Sequence, residues 1–189
     1  MSFFPSVLSS TMNSMSSRTD QKGKMAETRI FESSESPQRL MQSVAAHLLE
    51  SSSVRAVFTL RKTGQDNSYC YSLISNRGLI DEACPFFPVM PVQGARALSE
   101  LTVMEPLQEP VAAFLRPCEI RAFVENVKQS QGKLEKLFII SCICPGVIPY
   151  DRFNREHAGE LPADLESNIR DACSSCSRFV PEGYADMVF

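Results

Sequence analysis

Two short apolar stretches, each followed by a cysteine next to a proline, constrain the fold of this chain more than any other feature. The first, residues 110–115, leads into Cys118, and the second, residues 134–142, leads into Cys144. Apolar runs of this length, bounded by turn residues, indicate buried strands. Parallel strands bring the side chains at their carboxyl ends to one edge of a sheet, where open α/β folds place ligands. We therefore expect both cysteines at one edge.

The residues between these two strands have the periodicity of a helix. Apolar side chains recur at Ile120, Phe123, Val124 and Val127. We predict a helix from Glu119 to about residue 130, ended by Gly132. A strand, a helix and a second strand with connections of this length form a right-handed parallel crossover.

Three further elements precede the crossover. We predict a helix over residues 37–50 with Ser36 as its N-cap. Its apolar face is predicted to consist of Leu40, Val44, His47 and Leu48. Residues 54–60 and 68–74 are predicted strands, which a turn at residues 64–67 joins into a hairpin-like edge of the sheet.

Together with the remaining segments, these elements predict the α/β fold class, with a small mixed, largely parallel sheet and flanking helices. Residues 80–110 are irregular and proline-containing, with one helical stretch over 94–101. Another helix is predicted over 162–169, directly before a CxxC pair. Residues 185–189 have the pattern of a strand's first residues, so we expect a C-terminus that is truncated or completed by another subunit.

The chain is predicted to hold one domain and a tail. Residues 1–34 form a Ser-rich segment without amphipathic periodicity, which predicts disorder. Residues 35–189 have the length and apolar content of one ordinary domain with its own core.

Charge and composition exclude several classes of partner. The formal net charge is −3, and Lys and Arg form no basic stripe, so nucleic acid is not an expected partner. No apolar run approaches the roughly 20 residues that a membrane span needs. The chain has seven cysteines at uneven spacings, which favours metal or redox use in the reducing cytoplasm over a disulfide framework.

A CxxC pair, Cys173 and Cys176, brings the number of thiols available to one site to at least four. Four thiolates around one point suit a [4Fe-4S] cluster, and they also suit tetrahedral zinc. Cys142 is predicted to share a strand with Cys144 and could replace it, although the Pro-Gly turn favours Cys144.

The other cysteines and both histidines are expected outside this site. Cys70 and Cys84 have the pattern of small buried apolar residues. His47 and His157 are expected in packing and on the solvated surface, rather than as a ligand or a base.

Charged residues surround Cys118 and allow two interpretations. Arg116, Glu119 and Arg121 are typical of a solvated helix start, where a glutamate favours the positive end of the dipole. Alternatively, the helix N-terminus and the two arginines hold an anionic group, either the phosphates of a flavin or the negative charge of a cluster.

The cysteine order resembles that of a known family. Leu-Arg-Pro-Cys118-Glu-Ile-Arg-Ala, a strand ending in Cys144-Pro-Gly, Arg-Asp-Ala-Cys173-Ser-Ser-Cys176 and the final Ala-Asp-Met are similar to the deazaflavin-coenzyme-reducing hydrogenase/formate dehydrogenase beta subunit family. The resemblance covers roughly residues 35–189. Its members are iron-sulfur flavoproteins that pass electrons between a flavin, a two-electron carrier and a catalytic partner subunit.

The resemblance implies a function and a ligand set. Cys118, Cys144, Cys173 and Cys176 would ligate a [4Fe-4S] cluster, and FAD is the second cofactor it allows. The chain would be an iron-sulfur electron-transfer subunit of a hydrogenase or formate dehydrogenase type redox complex, working with catalytic or electron-carrier subunits. The alternative is a structural or interaction subunit that binds zinc or no cofactor.

Overall fold

The structure, a computed structural model, describes residues 34–64, 68–156, 160–181 and 183–189. The predicted tail, except for its last residue, lies outside these ranges. So do most of the predicted turn at 64–67 and His157.

A five-stranded sheet forms the centre of the domain, in the order β2-β1-β3-β4-β5. The strands are β1 (Ala56–Thr63), β2 (Ser68–Ile74), β3 (Val111–Phe114), β4 (Leu137–Ser141) and β5 (Met187–Val188). β2 pairs with β1 antiparallel, and the other three pairings are parallel. The predicted mixed, largely parallel sheet and the hairpin at its edge are therefore confirmed.

Strand β3 is covered on both faces, because all four of its residues are buried. Alternate residues of a strand point to opposite faces, so an uninterrupted buried run requires packing on each side. On one side lie α2 (Gly94–Thr102) and α3 (Pro117–Lys128). The core on that side includes Phe58, Leu98, Val111, Ile120, Phe123 and Ile139.

A second apolar cluster includes Leu60, Tyr69, Val89, Ile148 and Phe153. The rings of Tyr69 and Phe87 stack with centroids 4.8 Å apart. Val89 forms an isolated bridge with Ile148, which connects the proline-containing segment to the chain beyond β4. This cluster supports the loops that follow the carboxyl end of β4.

The first helix, α1 (Pro37–Glu50), has the predicted bounds. Ser36 accepts a hydrogen bond from the Arg39 N–H at 3.4 Å, as expected of an N-cap. The predicted apolar face is only partly right. The buried residues are Met41, Ala45, Ala46 and Leu48. Met41 and Ala45 are thus buried in place of their neighbours Leu40 and Val44, and Ala46 is buried in place of His47.

Two predicted boundaries at the cysteines are wrong. Helix α3 begins at Pro117, two residues before the predicted start, because proline suits the first helical position. Cys118 thus lies in the first turn of α3. Strand β4 ends at Ser141, so Cys142 and Cys144 follow the strand and do not share it.

The helix predicted over 162–169 is replaced by other elements. The chain forms α4 (Tyr150–Glu156) earlier and a 3-10 turn at Glu166–Asn168. Asp164 explains the difference, since its side chain accepts from the Ser167 N–H at 3.2 Å and its carbonyl accepts from the Asn168 side chain at 2.7 Å. Such local bonds compete with regular helix formation.

A one-turn helix, α5 (Asp171–Ser174), and a 3-10 helix, Arg77–Glu82, complete the elements of the described chain. Among the described helices, none combines the length and apolar character that crossing a membrane would need.

Candidate functional site

Cys118 lies just beyond the carboxyl end of β3, in the first turn of α3. Arg116 is the N-cap residue and has extended backbone, with φ −68° and ψ 159°. The direction of the chain therefore changes between the strand and Cys118, which is exposed. This is the position where parallel α/β sheets present ligand-binding side chains.

Cys144 lies three residues beyond the end of β4 and is half-buried. Gly146 follows it with φ +98°, a conformation that side chains rarely adopt. A Cβ on Gly146 would lie 2.9 Å from Ile169 Cγ2. The predicted turn at Pro145-Gly146 therefore exists, and only glycine fits it without strain.

Cys173 and Cys176 belong to one tight turn at α5. The Cys176 N–H donates to the Cys173 carbonyl at 3.1 Å, and the Cys173 N–H donates to the Arg170 carbonyl at 2.7 Å. Both thiols are half-buried.

The CxxC turn is attached to the sheet edge at both of its ends. Before it, the Arg170 N–H donates to the Val147 carbonyl at 2.9 Å. After it, the Cys144 N–H donates to the Phe179 carbonyl at 2.9 Å. Residues 170–179 thus form a loop that starts and finishes beside Cys144.

Helix α3 is also connected to this loop. Arg121 Nη1 donates to the Arg178 carbonyl at 3.0 Å. Arg121 lies three residues from Cys118, about one helical turn. The structure therefore brings the two strand-end cysteines and the CxxC pair to one region, which we call the cysteine edge: Cys118, Cys142, Cys144, Cys173 and Cys176.

Three thiols of the cysteine edge, Cys118, Cys142 and Cys144, have raised pKa values. Although Cys118 is exposed as a residue, neighbouring groups partly desolvate its thiol and raise its pKa to about 11, and the charges of Glu119 and then Cys144 add to the rise. Burial raises the pKa of Cys142 to about 12, again with Cys144 as a second cause.

Cys144 connects the two halves of the cysteine edge. Burial raises the pKa of its thiol, and the charge of Cys173 raises it further. The Gly146 N–H and the charge of Arg116 act in the opposite direction. Cys144 therefore interacts with thiols of the strand ends and of the CxxC turn.

The donor set suits a soft metal or a cluster in its chemistry, because thiolates are preferred by zinc and by iron-sulfur groups. The donor side chains are less closely grouped than those of a formed metal site. Within the described ranges, no three His, Cys, Asp or Glu side chains are grouped in a way that could hold a metal ion.

Glu119 lies at the centre of a buried polar cluster beneath the cysteine edge. It is 0% exposed. Its Oε1 accepts from the Tyr71 hydroxyl at 2.6 Å and from the Gly94 N–H at 2.8 Å, and its Oε2 accepts from the Arg116 N–H at 2.9 Å. This carboxylate ties the start of α2 to the start of α3.

Arg116 is buried beside Glu119, with 1% of its surface exposed. Its Nη1 lies 3.7 Å from Glu119 Oε2, and its Nη2 donates to the Phe87 carbonyl. Its Nε has no hydrogen-bond partner in the structure. Burial opposes the charge of Arg116, but the charges of Tyr71 and Glu119 outweigh it and raise its pKa.

These positions refine the prediction that Arg116, Glu119 and Arg121 hold an anionic cofactor. The interpretation of a solvated helix start is wrong for Arg116 and Glu119, which are both buried. Arg121 is half-buried and bound to the loop. Whether any of the three contacts a cofactor stays a prediction.

Two members of the polar cluster were missed at the sequence level. Tyr71 and Gly94 are 48 and 25 residues from Glu119, so no local pattern connects them. The sequence did contain a signal for one contact of the cluster, the bond between Glu119 and the Arg116 N–H. Glutamate at the third position of a helix that begins with proline often bonds back to the N-cap backbone, as Glu119 does.

The cysteines predicted to lie elsewhere do so. Cys84 is 8% exposed and packs in the second apolar cluster. Cys70 is half-buried on β2, with its Sγ 3.3 Å from the Ser72 hydroxyl. His47 is half-buried on α1.

Two clefts adjoin the CxxC turn. One of about 590 Å³ is lined by residues that include Met90, Tyr150, Arg152 and Arg170. The other, of about 420 Å³, includes Ile169 and Cys173 in its lining. Arg170 Nη2 donates to the Met90 carbonyl at 3.0 Å in the wall of the first.

A scan against protein-family models found no match to the chain, and a search of curated proteins found none either. Function is therefore inferred from the cysteine edge and its surroundings.

Proposed function

We propose that this chain is an iron-sulfur electron-transfer subunit of a hydrogenase or formate dehydrogenase type redox complex. One [4Fe-4S] cluster would be held by Cys118, Cys144, Cys173 and Cys176. The observation that carries the proposal is the loop of residues 170–179. Both of its ends are hydrogen-bonded to the segment after β4, and Arg178 near its second end also accepts a bond from Arg121 on α3. This loop connects the CxxC turn to the segment that carries Cys144 and to the helix that carries Cys118, which supports the proposal.

The chemistry of the cysteine edge supports this role. When bound, the cluster supplies one-electron transfer without a bond change in the protein. Thiols with raised pKa values are protonated in the metal-free chain, so ligation releases protons. The Gly146 N–H, which lowers the pKa of Cys144, is a backbone donor to its sulfur. Hydrogen bonds to ligand sulfur tune such clusters.

Cluster binding would require a rearrangement of the thiols, because no three described His, Cys, Asp or Glu side chains are grouped to hold a metal ion. The CxxC turn is the element suited to this movement. Its two thiols lie in one short turn, whereas Cys118 lies in the first turn of α3 and Cys144 lies three residues beyond β4.

A flavin and partner subunits belong to the same proposal. FAD would need an organic-cofactor surface near the cluster, and the cleft of about 590 Å³ beside the CxxC turn has a size common among ligand pockets. Its lining holds Arg152 and Arg170 together with Asp151 and Asp171, so these four side chains carry no net charge, and Arg152 is paired with Glu156 at 2.8 Å.

The alternative function is a structural or interaction subunit that binds zinc through the same thiols, or no cofactor. The observation that favours the cofactor-free form is that, among the described residues, no three His, Cys, Asp or Glu side chains are grouped to hold a metal ion. Zinc would have to draw the thiolates together, because each Zn–S bond is about 2.3 Å long. Zinc is colourless, so absorbance distinguishes the two readings.

Serine substitution of single cysteines tests the ligand set. We expect Cys118→Ser and Cys176→Ser to lose most bound iron after anaerobic reconstitution, because each removes one of four ligands. Cys70→Ser, on β2, is the matched control and should keep the wild-type iron content. Retention of full iron stoichiometry by Cys118→Ser or Cys176→Ser would remove that residue from the ligand set, and retention by both would contradict the site.

The same assay decides between Cys142 and Cys144. We expect Cys144→Ser to lose iron and Cys142→Ser to retain it, because Cys144 is adjacent to the Pro-Gly turn and is coupled to Cys173. The reverse result would assign Cys142 as the ligand.

A further inference from the structure

We propose that Cys173 and Cys176 form a reversible dithiol–disulfide couple, which low-molecular-weight disulfides oxidise and small thiols reduce. No metal or cluster takes part, so the inference goes beyond the proposed function and does not depend on it. The geometry of the CxxC turn, the access to its thiols and the attachment of its loop support the couple.

The CxxC turn already holds its two cysteines at a separation that suits a disulfide. The Cys176 N–H donates to the Cys173 carbonyl at 3.1 Å, which closes a four-residue turn. The Cα atoms at the two ends of such a turn are less than about 7 Å apart, and a disulfide spans about 4.4–6.8 Å between its Cα atoms. The backbone of the turn therefore fits an S–S bond.

The two serines between the cysteines stabilise this turn. The hydroxyls of Ser174 and Ser175 donate to the Asp171 carbonyl at 2.8 and 3.0 Å. The Ser175 N–H donates to the same carbonyl at 3.2 Å. Bonds from hydroxyls to nearby backbone groups favour turns. Each residue between the two cysteines is therefore held by a bond to the start of α5.

The thiols of the turn are also accessible to a small reagent. Both are half-buried, in contrast to Cys84 and Cys142, which are 8% and 7% exposed. Cys173 lines the cleft of about 420 Å³, together with Ser174. A small disulfide that enters this cleft therefore meets Cys173 first.

The loop is attached outside the two cysteines, so the bond can form without releasing it. The Arg170 N–H is bonded to the Val147 carbonyl, and the Phe179 carbonyl to the Cys144 N–H. These bonds hold the turn in the folded chain, whereas the unfolded chain has to order it as the disulfide forms. The disulfide should therefore be more stable, relative to the dithiol, in the folded chain than in the unfolded chain.

The oxidation consists of two thiol–disulfide exchanges. The Cys173 thiolate attacks one sulfur of oxidised glutathione, so that a mixed disulfide forms, the glutathione S–S bond breaks and one glutathione leaves as its thiolate. The Cys176 thiolate then attacks the Cys173 sulfur and displaces the second glutathione. The dithiol thereby loses two electrons and two protons, and oxidised glutathione gains both to become two molecules of glutathione.

The test is the redox state of the full chain, freed of metal with a chelator and equilibrated without oxygen in mixtures of reduced and oxidised glutathione. The samples are alkylated with N-ethylmaleimide in denaturant and digested with trypsin. Cleavage after Arg170 and Arg178 releases residues 171–178, in which the two cysteines are Cys173 and Cys176. In the mass spectrum, the disulfide form of this peptide carries no alkyl group and is lighter than the unmodified dithiol by two hydrogen atoms.

We expect the equilibrium constant for disulfide formation to be at least about tenfold larger in the folded chain than in the same chain unfolded in urea, which is about 30 mV for two electrons. Cys173→Ser and Cys176→Ser should each lose the intramolecular disulfide and keep only a mixed disulfide with glutathione. Cys70→Ser, which removes a half-buried thiol on β2, is the control and should leave the equilibrium unchanged.

A smaller difference between the folded and the unfolded chain would overturn the inference. So would a peptide 171–178 that carries only glutathione adducts, or a disulfide that joins Cys173 or Cys176 to Cys118 or Cys144. Iron content decides the proposed function separately. A chain that binds iron when reduced but fails this test loses only the dithiol couple, and a chain that passes it without binding iron loses only the electron-transfer role.

Discussion

Glu119 is the residue on which the geometry beneath the cysteine edge most depends. A carboxylate without exposed surface is costly unless its charge and its lone pairs are satisfied. Here three donors and one guanidinium do so. Gly94 permits this arrangement, because a Cβ at that position would lie 2.9 Å from Glu119 Oε1. The starts of α2 and α3 are therefore held together by one side chain.

Removal of this carboxylate should destabilise the fold severely. We expect Glu119→Ala to lower the free energy of unfolding by about 3–5 kcal/mol, because it leaves Arg116 buried without its partner. Urea unfolding followed by circular dichroism measures the change. Glu125→Ala, on the exposed part of the same helix and paired with Lys128 at 2.7 Å, is the control, with an expected cost of about 0–1 kcal/mol. Similar losses in both variants would contradict the role given to Glu119.

Sequence reasoning at the residue scale predicted Cys118, Cys144, Cys173 and Cys176 as one ligand set. The fold connects the segments that carry them through the loop of residues 170–179, and the ligand set itself stays a prediction. It did not identify the burial of Arg116 and Glu119. Charged residues at a helix start are usually solvated, and only the distant partners Tyr71 and Gly94 make burial possible here.

At the scale of elements, the turn after β4 connects the sheet to the CxxC loop. Gly146 allows the positive φ, and Ile169 packs where its side chain would be. The Val147 carbonyl, one residue later, accepts from Arg170. Gly146 therefore contributes to the position of the CxxC turn, together with the hydrogen bonds of Arg170, Arg178 and Phe179.

Gly146→Ala should weaken both stability and iron binding. We expect a loss of about 1–2 kcal/mol from the left-handed backbone, with a further cost of about 1–3 kcal/mol from the contact with Ile169. Gly64→Ala is a matched control, since Gly64 also has positive φ, +67°, but open space around it. Urea unfolding and iron content of both variants provide the comparison. An equal effect of the two substitutions would show that the contact with Ile169 does not matter.

Elements were predictable where periodicity and turn residues agreed. The three strands β2, β3 and β4 and the helix α1 lie where their patterns place them, to within a few residues. The segment 162–169 was not predictable in the same way. A helix was predicted there, but Asp164 accepts hydrogen bonds from the Ser167 N–H and the Asn168 side chain.

At the scale of the whole molecule, the crossover from β3 through α3 to β4 determined most of what could be predicted. A connection of this length, containing a helix, predicts that β3 and β4 pair in parallel, as they do. Parallel pairing in turn predicts that the residues after both strands lie at the same edge of the sheet. The closure of residues 170–179 across that edge was not predictable, because its hydrogen bonds join backbone groups far apart in sequence.

The pairing partner of the last strand was also not predicted from the sequence. Residues 185–189 were predicted as the start of a strand, and β5 pairs with β4 in parallel, with Met187 opposite Ile140. Asp186 adds a bond from the Ile139 N–H to its Oδ2 at 2.8 Å. This pairing makes the segment after the CxxC turn part of the same sheet that carries Cys144.

The metal and flavin content of the intact chain, purified without oxygen, tests the central claim most directly. Iron, sulfide, zinc and flavin are measured together with the visible spectrum. The proposal predicts about four iron and four sulfide per chain with a broad brown absorbance, as a [4Fe-4S] cluster requires. Zinc without iron, or no metal in a well-folded sample, would contradict it and leave the structural subunit as the function.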